Sequence, residues 1–290
     1  MEHVVTQPTE PFTSRDGKLE VHQVPAWKDN LIWLAVCAET REAAVVDGPP
    51  SAEPVLAHCE EAGLKLTTIL NTHTHPDHVG INQDLERLGK LPGLRVFGPE
   101  RKAADVPGLT DPVDEGSTAT VGRLELSVLL TEGHIDGHVS YLYDDVLFCG
   151  DTLFAAGCGY LFDGPPEKMF DSLTRLMELD PGTRVCCAHE YTEENLRFAW
   201  TVEPDNEALA ERIREVWAIR AEGRCTLPST IGAERATNPF VRHGSETLRQ
   251  RVAAAWPDRD LSSPQAVFAA TRALKDRKDY KSQPDSSLPL

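Results

Sequence analysis

Six consecutive residues, His73-Thr74-His75-Pro76-Asp77-His78, carry three imidazoles and a carboxylate. Zinc, iron and manganese all accept neutral imidazole nitrogens and carboxylate oxygens as ligands. Pro76 bars a regular helix through the two leading histidines. His73 and His75, two apart on extended chain, project to the same side. Asp77 and His78 lie beyond the proline, where a helix begins. The segment is therefore shaped to serve two neighbouring cations, with His73 and His75 on one and Asp77 and His78 on the other.

One loop cannot complete two coordination shells, so further donors must come from later in the chain. Three stand at the ends of apolar runs. His134 follows the run 124–130 and is flanked by Gly133 and Gly137. Asp151 follows 146–149 and Gly150, and His189 follows 185–188. A lone His or Asp after a strand is more often a turn residue than a ligand; the company of the leading motif is what selects these three. Donors at several strand ends converge on one edge of a sheet, where α/β proteins place their sites. His138 is expected to support a ligand rather than to be one. His3, His22, His58 and His243 lack a strand-end setting and receive no role.

The elements that must position these donors are legible as periodicity. Residues 19–24 alternate, and 31–38 are almost continuously apolar, as in a strand buried on both faces. A short strand at 43–46 ends in Asp47-Gly48-Pro49-Pro50, a turn signal. Ser51 is expected to cap a helix that runs to about Ala62 and stops at Gly63. A strand at 66–70 leads straight into the histidine motif, and a helix follows over 79–88. Strands are predicted at 95–97, 118–121, 124–130, 139–143, 146–149 and 185–188, with a helix at 165–179. Beyond that point the segments 192–202, 206–222, 245–255 and 264–275 all read as helices. The expected organisation is a mixed α/β domain over residues 1–190 and a helical domain over residues 191–290.

Composition excludes several classes. The chain has 290 residues, 40% of them apolar, enough for a real core. Its formal charge of −17 repels nucleic acid and anionic membrane surfaces, so neither is expected as a partner. No apolar stretch is long enough to span a bilayer. Residues 1–16 are polar and acidic, without the apolar centre of a secretion signal and poor in arginine. The seven cysteines form no CxxC pair and read as reduced thiols. These features together lead us to expect a cytoplasmic protein.

Several further motifs carry a resemblance. Gly150-Asp151-Thr152-Leu153-Phe154 runs into Gly157-Cys158-Gly159. Ala188-His189-Glu190-Tyr191-Thr192 runs into Asn195-Leu196. Pro228-Ser229-Thr230-Ile231 precedes Asn238-Pro239-Phe240, and Arg277-Lys278-Asp279-Tyr280 comes late in the chain. With the His73–His78 motif, the chain resembles the metallo-β-lactamase superfamily and, within it, glyoxalase II, the hydroxyacylglutathione hydrolases.

The resemblance implies an αββα sandwich with an α-helical C-terminal domain, and two divalent metal ions, zinc first, iron or manganese also acceptable. It implies that His73, His75 and His134 hold one ion, that Asp77, His78 and His189 hold the other, and that Asp151 bridges them and orients the attacking hydroxide. It implies a monomer acting on a glutathione thioester such as S-D-lactoylglutathione, the second step of methylglyoxal detoxification. Glutathione would be held by Tyr160, Phe162, Tyr191, Lys275 and Lys278. Here the chain departs from the family. Tyr160 stands where a lysine or arginine is usual, and Lys275 where arginine is common, so one cation and one bidentate carboxylate contact are lost. A different thiol carrier, a lactone substrate, a mono-iron persulfide dioxygenase or a non-catalytic metal-binding protein are the alternatives.

Overall fold

The computed structural model describes residues 3–290. Two sheets face one another. The first has seven strands in chain order: β1 (Phe12–Thr13), β2 (Leu19–Ala26), β3 (Asn30–Cys37), β4 (Glu42–Val46), β5 (Lys65–Leu70), β6 (Arg95–Pro99) and β7 (Asp111–Val113). Helices α1 (Ala52–Glu61) and α2 (Pro76–Arg87) are the crossovers that make β4, β5 and β6 parallel. β8 (Thr118–Val121), β9 (Leu124–Leu130), β10 (Val139–Tyr143) and β11 (Val146–Gly150) form an antiparallel meander in the second sheet. Between them and the last strand lie the small hairpin β12 (Leu153–Phe154) and β13 (Gly157–Cys158), then α3 (Pro166–Leu176). Strand β14 (Arg184–Cys187) then pairs parallel to β11.

The continuous apolar run of β3 has the cause anticipated for it. Leu31, Trp33, Ala35 and Cys37 face the core between the sheets, while Ile32, Leu34 and Val36 face the layer under α1 and α2. The inner core closes on Trp33, whose Nε1–H donates to Cys187 O at 2.9 Å, and on Tyr141, whose hydroxyl donates to Asn71 O at 2.8 Å. Both bonds cross from one sheet to the other near one edge. Burying these two aromatic groups without partners would cost about 1–3 kcal/mol each.

The remaining chain is α4 (Thr192–Val202), α5 (Glu207–Ala221), β15 (Ser229–Thr230), α6 (Ile231–Thr237), α7 (Glu246–Ala255) and α8 (Pro264–Asp276). Four of its helices start at side-chain caps: Asn206, Thr230, Ser245 and Ser263 each accept a backbone N–H three residues on. The sequence predicts four helices in this segment; the structure adds a fifth, α6, and β15 adds a strand to β14 of the second sheet. Two residues are too few for alternation to register in the sequence. Ser51 also differs from expectation: it makes no side-chain cap, the third helical residue being Pro54, which has no N–H to offer, while Asp84 of α2 accepts the Ala52 N–H at 2.8 Å.

Candidate metal centre

The architecture brings several strand ends to one edge. Parallel β4 and β5 end side by side at Val46 and Leu70, so Asp47 lies next to the His73–His78 motif. Parallel β11 and β14 end at Gly150 and Cys187, which sets Asp151 beside His189. The sheets are stitched there by Leu31 N–H to Ala188 O at 2.7 Å and Val139 N–H to Thr72 O at 2.8 Å. Gly150 has φ +47°, and a β-carbon there would strike Thr72 Oγ1 and His138 Nε2. Only glycine allows the strand to turn into the site at this point.

Two separate groups of donors result, with Asp47 forming a third that overlaps both through His73 and His78. His73, His75 and His134 present ring nitrogens within 4.8 Å of one another, and so do the ligand atoms of Asp77, His78 and His189. Within the first group, His75 Nδ1 lies 3.1 Å from His73 Nε2 and 3.0 Å from His134 Nε2. In the second, Asp77 Oδ2 lies 3.4 Å from His189 Nε2 and 3.7 Å from His78 Nε2. Asp151 stands between them. Its Oδ1 is 3.5 Å from both His78 Nε2 and His189 Nε2, and its Oδ2 is 3.5 Å from His134 Nε2. His78 Nε2 and Asp151 Oδ1 are buried without any hydrogen-bond partner. Buried polar atoms are rarely left in that condition. Two lone-pair donors aimed at a common point fit a cation, and the donor set suits a divalent ion of the zinc, iron or manganese type.

Electrostatics separate the two groups. Burial, then the neighbouring imidazoles, holds His73 well below the ordinary histidine value, so it is neutral, as a ligand must be. Burial also lowers His134 and His75. In the second group burial opposes charge on His189, but Asp151, Asp29 and Asp77 outweigh it and raise the group to about 9. Burial would lift Asp151 too, yet His189 and His78 hold its carboxyl far below the usual range. Ionised carboxylates are thus concentrated at one point, which draws positive charge into this part of the site.

A further set of residues fixes the ring orientations. Asp47 accepts His78 Nδ1–H at 2.9 Å, Thr72 Oγ1–H at 2.6 Å and Thr72 N–H at 2.8 Å. Thr72 Oγ1 in turn lies 3.0 Å from His73 Nδ1. Asp29 accepts His189 Nδ1–H at 3.1 Å, Asn30 donates to Asp77 Oδ2 at 3.2 Å, and the Tyr160 carbonyl accepts His134 Nδ1–H at 2.7 Å. With Nδ1 protonated, each Nε2 lone pair faces inward. Asp29, Asn30 and Asp47 escaped the sequence reading. Asp47 had a usable signal, since it ends a strand parallel to the one before His73, but its Gly-Pro-Pro neighbours presented it as a turn. His138 is fully buried; its Nε2 accepts the Asp151 N–H at 3.2 Å and its ring stacks on His73 at 4.8 Å, a supporting place as expected.

The residues expected to hold substrate fall in two places. Tyr160, Tyr191, Lys275 and Lys278 line one cavity of about 330 Å³, together with Glu194 and Arg272. Tyr191 stacks flat on His189, the centroids 4.7 Å apart and the planes within 3°. Lys275 is buried at the cavity floor; its ammonium donates to Asn195 Oδ1, and it lies 5.6 Å from the Phe240 ring centre. Phe162 is outside the lining. Its exposed ring stands edge-on to His75 and His134, at 5.1 and 5.3 Å between centroids.

Comparison with known proteins identifies the family. Residues 32–189 match the sequence model of the metallo-beta-lactamase superfamily, and residues 190–278 match that of the hydroxyacylglutathione hydrolase C-terminus. The hydroxyacylglutathione hydrolase of Gloeobacter violaceus is 49% identical over 89% of this chain and 99% of its own length. That of Rhodospirillum rubrum is 43% identical over 89% of this chain and 98% of its own. Among solved structures, ETHE1 from Myxococcus xanthus superposes with a TM-score of 0.56 at 23% identity, over 92% of this chain and 97% of that one. The BLEG-1 B3 metallo-beta-lactamase gives 0.56 at 21% identity over 76% and 99%, so both likenesses are of fold. The relatives covered end to end at more than 40% identity decide the matter: this chain belongs to the metallo-beta-lactamase superfamily and, within it, to the hydroxyacylglutathione hydrolases.

Proposed function

We propose that the chain hydrolyses S-(2-hydroxyacyl)glutathione, with S-D-lactoylglutathione and water giving glutathione and D-lactate, as the second step of methylglyoxal detoxification. The observation that carries the reading is the placing of Asp151, with one carboxylate oxygen toward each donor group. We assign His73, His75 and His134 to one divalent ion, Asp77, His78 and His189 to the other, and Asp151 to both. Zinc is the first choice, iron and manganese suiting the same donors.

Two such ions would lower the pKa of a water toward about 7 and polarise the thioester carbonyl. The rest falls to the protein. Asp47, Asp29 and the Tyr160 carbonyl keep the ligand nitrogens aimed inward, so no reorganisation is needed during the reaction. Asp151 holds the two ligand groups in one piece and offers a carboxylate to orient the nucleophile. Tyr191, stacked on His189, leads from the site into the cavity where Lys275 and Lys278 are placed to receive the carboxylates of the carrier. Tyr160 contributes a hydroxyl, and Phe162 an apolar edge beside the reacting carbonyl.

We assign residues 1–190 to the catalytic unit and 191–290 to the unit that supplies the carrier pocket. All seven cysteines are free thiols, which supports a reducing compartment, and we place the protein in the cytoplasm as a monomer. No helix among the described residues is long and apolar enough to cross a membrane. The test is metal analysis together with turnover of lactoylglutathione against thioesters of other thiol carriers. Two ions per chain and a preference for the glutathione ester are expected. A metal-loaded protein that ignores every thioester would overturn the proposal.

A further inference from the structure

The motifs at Ser229 and at Asn238 take no part in the chemistry above, and neither does Glu234 between them. Glu234 is fully buried and accepts four bonds. One oxygen faces Arg212 Nη2 at 2.7 Å and the Ser229 hydroxyl. The other accepts the Ala156 N–H at 2.7 Å and Asn238 Nδ2–H at 2.9 Å. Asn238 Nδ2 also lies 2.9 Å from Gly157 O. Ala156 has φ +53°, a left-handed backbone that a residue with a β-carbon rarely adopts unless its surroundings impose it.

The clamped segment is the β12–β13 hairpin. Two more of its carbonyls are also held from beyond residue 190: Ala155 O by Asn195 Nδ2 at 2.9 Å, and Cys158 O by Arg272 Nη1 at 3.2 Å. The hairpin begins just after Asp151. It ends at the turn whose Tyr160 carbonyl holds His134 at 2.7 Å and whose Phe162 N–H donates to His134 O at 2.9 Å. A displacement of this hairpin therefore reaches the bridging carboxylate at one end and a ligand imidazole at the other.

We infer that Glu234, with Asn238, is a positioning residue of the metal centre: it fixes the hairpin from the helical segment so that Asp151 and His134 keep their ligand geometry. The helical segment then serves metal retention as well as substrate. This inference rests on the ligand assignment proposed above, and the two fail separately. A wild-type chain that binds no metal defeats the assignment, whereas variants that keep their metal defeat only the clamp.

The experiment measures zinc retention against a chromophoric chelator in Glu234→Gln and Asn238→Ala, with circular dichroism and Tm recorded on the same samples. Val252→Ala, a buried change in α7 that touches none of the clamp's hydrogen bonds, is the control for lost stability. Both clamp variants are expected to release zinc at least tenfold more readily than wild type, and the control to retain it even at an equal fall in Tm. Adding Ala156→Gly should restore part of the loss, because glycine accepts positive φ without being held. Clamp variants that are folded and retain zinc as wild type does, or a control that sheds it equally, would overturn the inference. Glu234→Gln weakens the partner of a buried arginine and could prevent folding. In that event Asn238→Ala, which leaves the Glu234–Arg212 pair intact, decides.

Discussion

Replacing Asp47 by asparagine changes one atom in a buried residue that touches no proposed cation, yet it should weaken metal binding. The substitution suits the backbone, because Asp47 has φ +53° and asparagine tolerates that region well. Asparagine Oδ1 can still accept the Thr72 N–H. The new amide nitrogen, however, replaces the oxygen that accepts from Thr72 Oγ1 at 2.6 Å and His78 Nδ1 at 2.9 Å. To meet an N–H donor, His78 must present a bare Nδ1, which moves its proton to Nε2, the atom aimed into the site. His78 then no longer offers a lone pair there. Each bond to an ionised partner is worth about 1.5–3 kcal/mol, and changing an orienting carboxylate commonly costs about 10–100-fold in metal affinity. That range is about 1.4–2.7 kcal/mol. The loss should fall on the Asp77–His78–His189 group, with a smaller effect on His73 through Thr72. The assay is stepwise chelator competition on folded protein of each kind. If both ions are held within threefold of wild type, the reasoning about the tautomer is wrong.

Three further outcomes follow from the same geometry. Asp151→Ala should lose metal and thioesterase activity together, and full turnover with less than one ion per chain would refute a bridging role. Lys278→Ala should act mainly on KM, because it removes binding remote from the reacting carbonyl; a fall confined to kcat would refute that. Burial, then nearby Arg272, pushes the Lys275 amine down to about 7. A bound carboxylate favours the protonated amine, and that form is lost as pH rises through 7. KM for lactoylglutathione should therefore climb between about pH 7 and 8.5, and Lys275→Arg, always charged, should flatten the climb. A KM profile unchanged by the arginine would remove Lys275 from the binding of the carrier.

The chain displays its donors more openly than the groups that aim them, and the reason is chemical. A cation accepts few side-chain types, so His73, His75, Asp77 and His78 in one turn are conspicuous, and strand-end residues such as Asp151 and His189 follow once a second shell must be filled. The long strands were equally open: β3 alternates between two buried faces and so reads as one apolar run. The hairpin β12–β13 and strand β15 are two residues each, shorter than any period, and their position is set by the side chains that grip them. An aiming group has only to accept a hydrogen bond from a ring nitrogen. In this protein that is done by a buried carboxylate at a strand end, Asp47, by a hairpin-turn carboxylate, Asp29, and by a backbone carbonyl, that of Tyr160. The carbonyl has no residue type at all, so no composition or spacing can mark it. Substituting Tyr160 by any residue that keeps the turn should accordingly leave His134 in place, which the Nδ1 resonance of His134 would check.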